Sequence, residues 1–178
     1  QTDVPTLFGP AAMSAGYRHA CALDDTGVVC WGHNDYGQTD VPNYLSNPLQ
    51  VSAGFTHTCA LDNTGVVCWG HNDFGQTDVP TTLINPTAVS SGDYYTCALD
   101  DTGVVCWGHN NVGQTDVPAT LSNLLRVSAG YRHACALDTT GVVCWGDNEY
   151  GQNDVPATLI TPTAVSAGYD HTCAVDDT

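Results

Sequence analysis

The chain has 178 residues, 42% hydrophobic and 12% charged, and its three arginines, with no lysine, face nineteen acids for a formal net charge of −16. That balance excludes a phosphate-binding surface for nucleic acid, which needs clustered Lys and Arg, and a basic membrane-surface helix. No stretch approaches the roughly 18 apolar residues of a membrane span, so membrane insertion is not expected either.

Evenly recurring Val, Leu, Trp and Tyr argue against disorder. Gly and Pro are spread so regularly that helices of ordinary length have little room. The marker Gln-Thr-Asp-Val-Pro begins at Gln1, Gln38, Gln76 and Gln114 and returns as Gln-Asn-Asp-Val-Pro at Gln152, in steps of 37, 38, 38 and 38 residues. A fixed period of this length signals a solenoid, a propeller or an array. The repeat units are 1–37, 38–75, 76–113, 114–151 and an incomplete 152–178.

Each unit reads in the same order. A Pro-closed turn leads to a short strand ending in Ser-Ala-Gly or Ser-Ser-Gly, then to a second strand around Cys-Ala-Leu-Asp. After a turn comes a third strand, Gly-Val-Val-Cys-Trp-Gly, and a polar loop such as His-Asn-Asp-Tyr-Gly. Short strands between Gly, Asp, Asn and Pro are the expected β signature.

The hairpin register follows from counting. Cys21 and Cys30 flank an even number of residues, and a four-residue loop, Asp24-Asp25-Thr26-Gly27, closes Leu23 against Val28. Glycine in the last loop position supplies the positive φ such a loop needs. The cysteines then face each other with Cβ atoms roughly 4.5–5.5 Å apart, close to disulfide geometry. The same arithmetic pairs Cys59 with Cys68, Cys97 with Cys106, and Cys135 with Cys144, and leaves Cys173 unpaired. Four regular bridges imply an oxidising compartment, extracellular or periplasmic.

Zinc is the rival for these cysteines, through His19, Cys21, Cys30 and His33. Strand parity puts His33 on the opposite face from the other three. Tyr95 and Asp147 also replace the histidines in later units while the cysteines persist. No metal and no cofactor are expected. The Asp-rich turns lack the ligand spacing of an EF-hand. There is no phosphate loop and no Ser/His/Asp set within a unit, so no catalytic residue is assigned. Parity also places Cys21, Leu23, Val28 and Cys30 on one face and Ala20, Ala22, Val29 and Trp31 on the other. Both faces are apolar, so each hairpin needs a layer on either side. Trp31, Trp69, Trp107 and Trp145 are expected to pack between blades, with ligand stacking as the alternative.

Residues 15–38, Ala-Gly-Tyr-Arg-His-Ala-Cys-Ala-Leu-Asp-Asp-Thr-Gly-Val-Val-Cys-Trp-Gly-His-Asn-Asp-Tyr-Gly-Gln, resemble the repeat of the regulator of chromosome condensation family. Gly, His, Leu, Gly, Trp-Gly, Asn and Gly-Gln fall at family spacing in unit after unit. The resemblance implies an all-β fold, a β-propeller of a seven-bladed family, here about 4.7 blades of 38 residues, each a short antiparallel meander. The short unit and paired cysteines look like the family's compact secreted bacterial members, such as the β-lactamase-inhibiting propeller. Chromatin binding and nucleotide exchange are not carried over, because the basic surface is missing. The family-position histidines, His19, His57, His133 and His171, are expected to make structural hydrogen bonds.

The units differ mainly at one end. The turn after the first strand and the loop after the third share it and carry Tyr17, Arg18, Tyr36, Phe55, Phe74, Tyr94, Tyr131, Arg132, Tyr150 and Tyr169. These residues form a candidate binding face, with neutral drift in exposed loops as the other reading. Two functions remain. One is a non-enzymatic extracellular scaffold for a protein or glycan, which includes an inhibitor of a secreted enzyme. The other is a structural subunit joined to further copies of itself through blade edges. Seven such units exceed 178 residues, and Thr178 interrupts the last hairpin. The chain is therefore expected to be a window on a longer array, its bare edge covered by a neighbouring copy or further chain, with a five-unit ring or a head-to-tail fibre as the alternative.

Overall fold

The computed structural model describes residues 3–177. Gln1, which opens the first marker, and Thr178 lie outside the described residues. Among the described residues fourteen strands make up five sheets: β1 (Ala12–Ala15), β2 (His19–Asp24) and β3 (Gly27–Gly32); β4 (Gln50–Ala53), β5 (His57–Asp62) and β6 (Gly65–Gly70); β7 (Ala88–Ser91), β8 (Tyr95–Asp100) and β9 (Gly103–Gly108); β10 (Leu124–Ala129), β11 (His133–Asp138) and β12 (Gly141–Gly146); and β13 (Pro162–Ala167) with β14 (Thr172–Asp176). Four sheets are antiparallel meanders in sequence order and the fifth has two strands.

The first strands β1, β4, β7, β10 and β13 neighbour one another in succession, and the second strand of each sheet packs on the first strand of the next. The first strands therefore line the inside of an arc, and the sheets follow one another as propeller blades. The arc is not closed.

The hairpin register is the one the cysteine spacing implies. Cys21 lies opposite Cys30, Cys59 opposite Cys68, Cys97 opposite Cys106 and Cys135 opposite Cys144, and each pair is a disulfide. Cys173 is free and exposed. The turn is tighter than the expected four-residue loop: Asp24 pairs with Gly27, so only Asp25 and Thr26 lie outside the ladder. The Asp24 carboxylate is the reason. It accepts hydrogen bonds from the Thr26 amide at 2.7 Å and the Thr26 hydroxyl at 2.6 Å. Gly27 takes a φ of 121°, as the turn requires. The other Asp24 oxygen accepts the Phe8 amide at 2.9 Å, which ties the preceding connection to the hairpin.

Junctions between blades are partly apolar and partly polar. Cys21, Leu23, Val28 and Cys30 pack on Val51 and Ala53 of the next sheet, and Tyr95 and Cys97 pack on Ala134, Ala136 and Trp145. Each inner strand also lends a serine hydroxyl to its successor. Ser14, Ser52, Ser90 and Ser128 accept the amides of Ala53, Ser91, Ala129 and Ala167, all at 2.9 Å. Gly54 has to be glycine: a Cβ there would sit 2.6 Å from the Gly92 carbonyl oxygen.

A buried polar node closes the junction. The Gln38 carbonyl accepts the Thr58 hydroxyl at 2.8 Å and the Trp69 indole N–H at 3.0 Å. His19 Nε2 lies 2.8 Å from the same Thr58 oxygen. Since the threonine proton is spent on Gln38, the imidazole must donate, which fixes the neutral Nε2–H tautomer. His57 meets Thr96 and His133 meets Thr172 in the same way, each at 2.9 Å. In the third sheet Tyr95 replaces the histidine, and its hydroxyl donates to the His133 carbonyl.

Two outcomes follow from this frame. Replacing Cys59 and Cys68 together with Ala should lower unfolding free energy by roughly 2–3 kcal/mol, the scale of a short closed loop, read by urea denaturation. Burial lowers the pKa of His57 to about 3 and that of His19 to about 4. Below the ordinary value near 6.5 the unfolded chain binds protons that the folded chain refuses. Stability is then complete above that pH and falls as acid is added towards pH 4. His57→Gln should make that acid slope shallower in denaturation curves taken between pH 7 and pH 4.5.

Candidate functional site

The ends of the inner strands converge on a shallow bowl of about 230 Å³ lined by Tyr17, Phe55, Asp93, Tyr131 and Tyr169 with the glycines that precede them. Main-chain bonds hold these turns. The Tyr17 amide donates to the Gly54 carbonyl at 3.2 Å, Phe55 to Gly92 at 3.2 Å and Tyr131 to Gly168 at 3.0 Å. The side chains at these positions are therefore free to face the bowl.

Tyr17 and Phe55 stack with ring centroids 4.2 Å apart, and Tyr131 and Tyr169 stack at 3.8 Å. Arg18 lies over the Tyr17 ring at 5.4 Å and Arg132 over Tyr131 at 5.1 Å, both within cation–π range. From Phe55 the rings continue outward through Tyr94 at 5.3 Å to Phe74 at 5.1 Å from Tyr94. His71 and His109 join them: His71 meets Tyr36 edge-on at 4.6 Å, and His109 lies 4.4 Å from Phe74.

The structure thus brings Tyr17, Phe55, Tyr94, Phe74 and Tyr36 into one continuous cluster and sets Tyr131 and Tyr169 as a second pair across the bowl. Tyr150 is 67% exposed and takes part in none of these ring contacts. Sequence reasoning missed His71 and His109. Their signal was the histidine that recurs after Trp-Gly at positions 33, 71 and 109, which was weighed only as a metal ligand. The structure gives these rings other work. His33 Nδ1 is 3.2 Å from Gln38 Nε2 and His71 Nδ1 is 2.7 Å from Gln76 Nε2. Their Nε2 atoms approach Asp35 and Asp73 at 3.0 and 3.2 Å.

Asp93 breaks the aromatic series at the bowl. It is 5% exposed, and its Oδ1 has no hydrogen-bond partner among the described residues. Desolvation raises its pKa to about 7 despite the opposing charge of Arg132. Tyr169 is pushed up to about 12, first through its hydrogen bond with Tyr131.

Five consecutive antiparallel sheets around a shallow bowl, fastened at three of their four junctions by His–Thr–Gln nodes, define a β-propeller repeat protein. The regulator of chromosome condensation (RCC1) repeat matches residues 11–38, 49–76, 87–114 and 126–152, and the chain belongs to that family. No curated protein matches the chain.

Among solved structures it is similar to the entire ectodomain of the Physcomitrella patens receptor kinase CR4, with 28% identity and a TM-score of 0.76 over 95% of this chain and 48% of that one. It is also similar to the CRINKLY WD40 ectodomain of the Arabidopsis thaliana receptor kinase ACR4, with 27% identity and a TM-score of 0.77 over 95% and 68%. Prp20p from Saccharomyces cerevisiae, at 16% identity, shares the fold with a TM-score of 0.83 over 98% and 58%. The chain thus spans about half the length of the moss ectodomain.

The Asp93 carboxyl predicts a pH effect opposite in sign to that of the histidines. Its raised pKa means that the folded chain keeps a proton the unfolded chain has lost, so this group weakens the fold as pH rises from about 4 to about 7. Asp93→Asn should remove that loss and make the protein more resistant to urea at pH 8, with little change at pH 4.

Proposed function

We propose that this chain is a non-enzymatic extracellular binding propeller that engages a protein partner through the aromatic end of its blades. The observation that carries the reading is the continuous ring cluster from Tyr17 to Tyr36, joined by the Tyr131–Tyr169 stack, at one end of the inner strands. Rings exposed by about half, such as Tyr17 at 55% and Tyr36 at 51%, offer large contact areas at a small entropic loss.

Two further observations support an extracellular setting. Four disulfides belong to an oxidising compartment. Two of the similar solved structures, at 28% and 27% identity, are ectodomains of receptor kinases. Among the described residues no helix is long and apolar enough to cross a membrane.

The test compares the two ends. Replacing Tyr17, Phe55, Tyr131 and Tyr169 together with Ser should leave the unfolding transition cooperative and weaken capture of extracellular proteins by the immobilised chain at least tenfold. Asp25→Arg and Asp101→Arg, at the hairpin end, should leave capture unchanged. Loss of capture through the hairpin variants alone would place recognition at the other end.

A further inference from the structure

The residue that opens the turn after each first strand is Tyr17, Phe55, Asp93, Tyr131 and Tyr169 in successive sheets. Four rings and one carboxyl therefore line the same bowl. The carboxyl belongs to the third sheet, which has a sheet packed on either side. The walls around it are built by this chain.

The third sheet departs from the others in two more ways at this turn. Tyr95 stands in the place of the histidine, and its hydroxyl reaches across to the His133 carbonyl. A main-chain bond ties the turn amide of Tyr17, Phe55 and Tyr131 to the glycine carbonyl of the next sheet. Among the described residues Asp93 makes no such bond to Gly130.

Nothing in the described chain answers the carboxyl either. Asp93 is 5% exposed, and its Oδ1 is buried without a hydrogen-bond partner. Arg132 is the cation whose charge bears on it, yet among the described residues the two form no ion pair. The Arg132 guanidinium lies over the Tyr131 ring instead, at 5.1 Å, and its buried Nε has no partner. Buried polar groups are normally hydrogen-bonded, so an orphaned carboxyl in the wall of a cavity marks a place for a donor.

The walls decide which donor fits. Ser91 already donates to the Ser52 carbonyl at 3.1 Å, and Tyr131 and Tyr169 hydrogen-bond one another. A glycan, which needs several polar partners, finds few among these rings, alanines and glycines. A positive charge gains a carboxylate partner and ring contacts together, and the net charge of −16 draws cations towards the chain. The rim shows which cation suits the rings. Arg18 over Tyr17 and Arg132 over Tyr131 are both guanidinium groups, and a guanidinium sheds water more readily than an ammonium.

We propose that the bowl receives an arginine side chain of the protein partner, whose guanidinium pairs with Asp93 between the Tyr17–Phe55 and Tyr131–Tyr169 stacks. This rests on the aromatic end being the recognition face and adds the chemistry of its anchoring contact. Desolvation has raised the pKa of Asp93 to about 7, and an opposite charge brought against it reverses that shift.

The test titrates N-acetyl-arginine amide into the intact chain at pH 8, with N-acetyl-citrulline amide as its neutral counterpart of similar shape. Binding is read from the NMR shifts of the Gly92 and Gly130 amides. Arginine amide should bind about tenfold more tightly, the scale of one charge-assisted hydrogen bond. Asp93→Asn should erase that preference while the amide spectrum stays that of a folded chain. Asp101→Asn, at the hairpin end, should keep it. Equal binding of the two probes, or a preference that survives Asp93→Asn, overturns the proposal. Lysine amide binding as tightly as arginine amide overturns the choice of a guanidinium. A neutral oligosaccharide that shifts the same amides, with no response to arginine amide, assigns the bowl to a glycan and overturns it as well.

Protein capture separates this inference from the reading beneath it. Capture lost on replacing the four rings with Ser but kept in Asp93→Asn leaves the aromatic end as the recognition face and removes the arginine anchor. Capture kept in both variants overturns the recognition face itself.

Discussion

One carbonyl oxygen anchors three of the four junctions between blades. Gln38 O accepts from Thr58 and Trp69 of the second sheet, while His19 of the first sheet donates to that same threonine. Three segments distant in sequence are thus joined through a single buried node. The Gln38 side chain works in the other direction: its amide oxygen accepts the Tyr36 amide at 3.0 Å and so closes the polar loop that leads into the node. His19, Gln38, Thr58 and Trp69 are all buried, so the node's hydrogen bonds are costly to leave unmade. The demand for a neighbour is therefore both apolar and polar. A single 38-residue unit satisfies neither alone.

Much of this was legible in the amino-acid sequence, for reasons that can be located. The even spacing of Cys21 and Cys30 determines parity, and parity decides which side chains share a face whatever the turn does. The shift from a four-residue loop to the two-residue turn of Asp25 and Thr26 left the register unchanged. The packing of Trp145 against Tyr95 and Cys97 followed from two-sided apolarity. The Gln carbonyl node was not legible, because a backbone acceptor leaves no mark on residue identity. The pairing of His with Thr and of Tyr with Ala was written in the sequence, yet its meaning required knowing that residues 39 apart meet across a junction.

The candidate site was legible only as a set of positions. Repeat comparison singled out Tyr17, Phe55 and Tyr94, but not that Tyr94 turns outward to Phe74 and His109 while Asp93 takes the buried place between the stacked pairs. Which of two adjacent side chains enters the bowl depends on local turn geometry that strand counting does not reach. His71 and His109 were passed over for a related reason. Histidine in an Asp-rich loop reads as a polar or metal-binding group, and here the His71 and His109 rings make edge-on and tilted contacts with Tyr36, Tyr94 and Phe74.

The contrast between the two ends of the blades has a structural origin. At the hairpin end the frame is made by side chains: Asp24, Asp62, Asp100 and Asp138 each hold the hydroxyl and amide of a threonine two residues on. Those residues cannot change without losing the turn, and only the position between them varies, as Asp25, Asn63, Asp101 and Thr139. At the aromatic end the frame is main chain. Gly16 N donates to His19 O at 2.9 Å, Tyr17 N to Gly54 O, and His33 N to Arg18 O at 2.8 Å. None of these bonds involves the side chains of residues 17 or 18. Tyr, Phe and Asp can therefore exchange at the first position, and Arg, Thr, Tyr and Asp at the second, while the turn remains in place. An end whose scaffold is indifferent to its side chains can vary its surface without refolding, and the aromatic, arginine and buried carboxyl groups are found there.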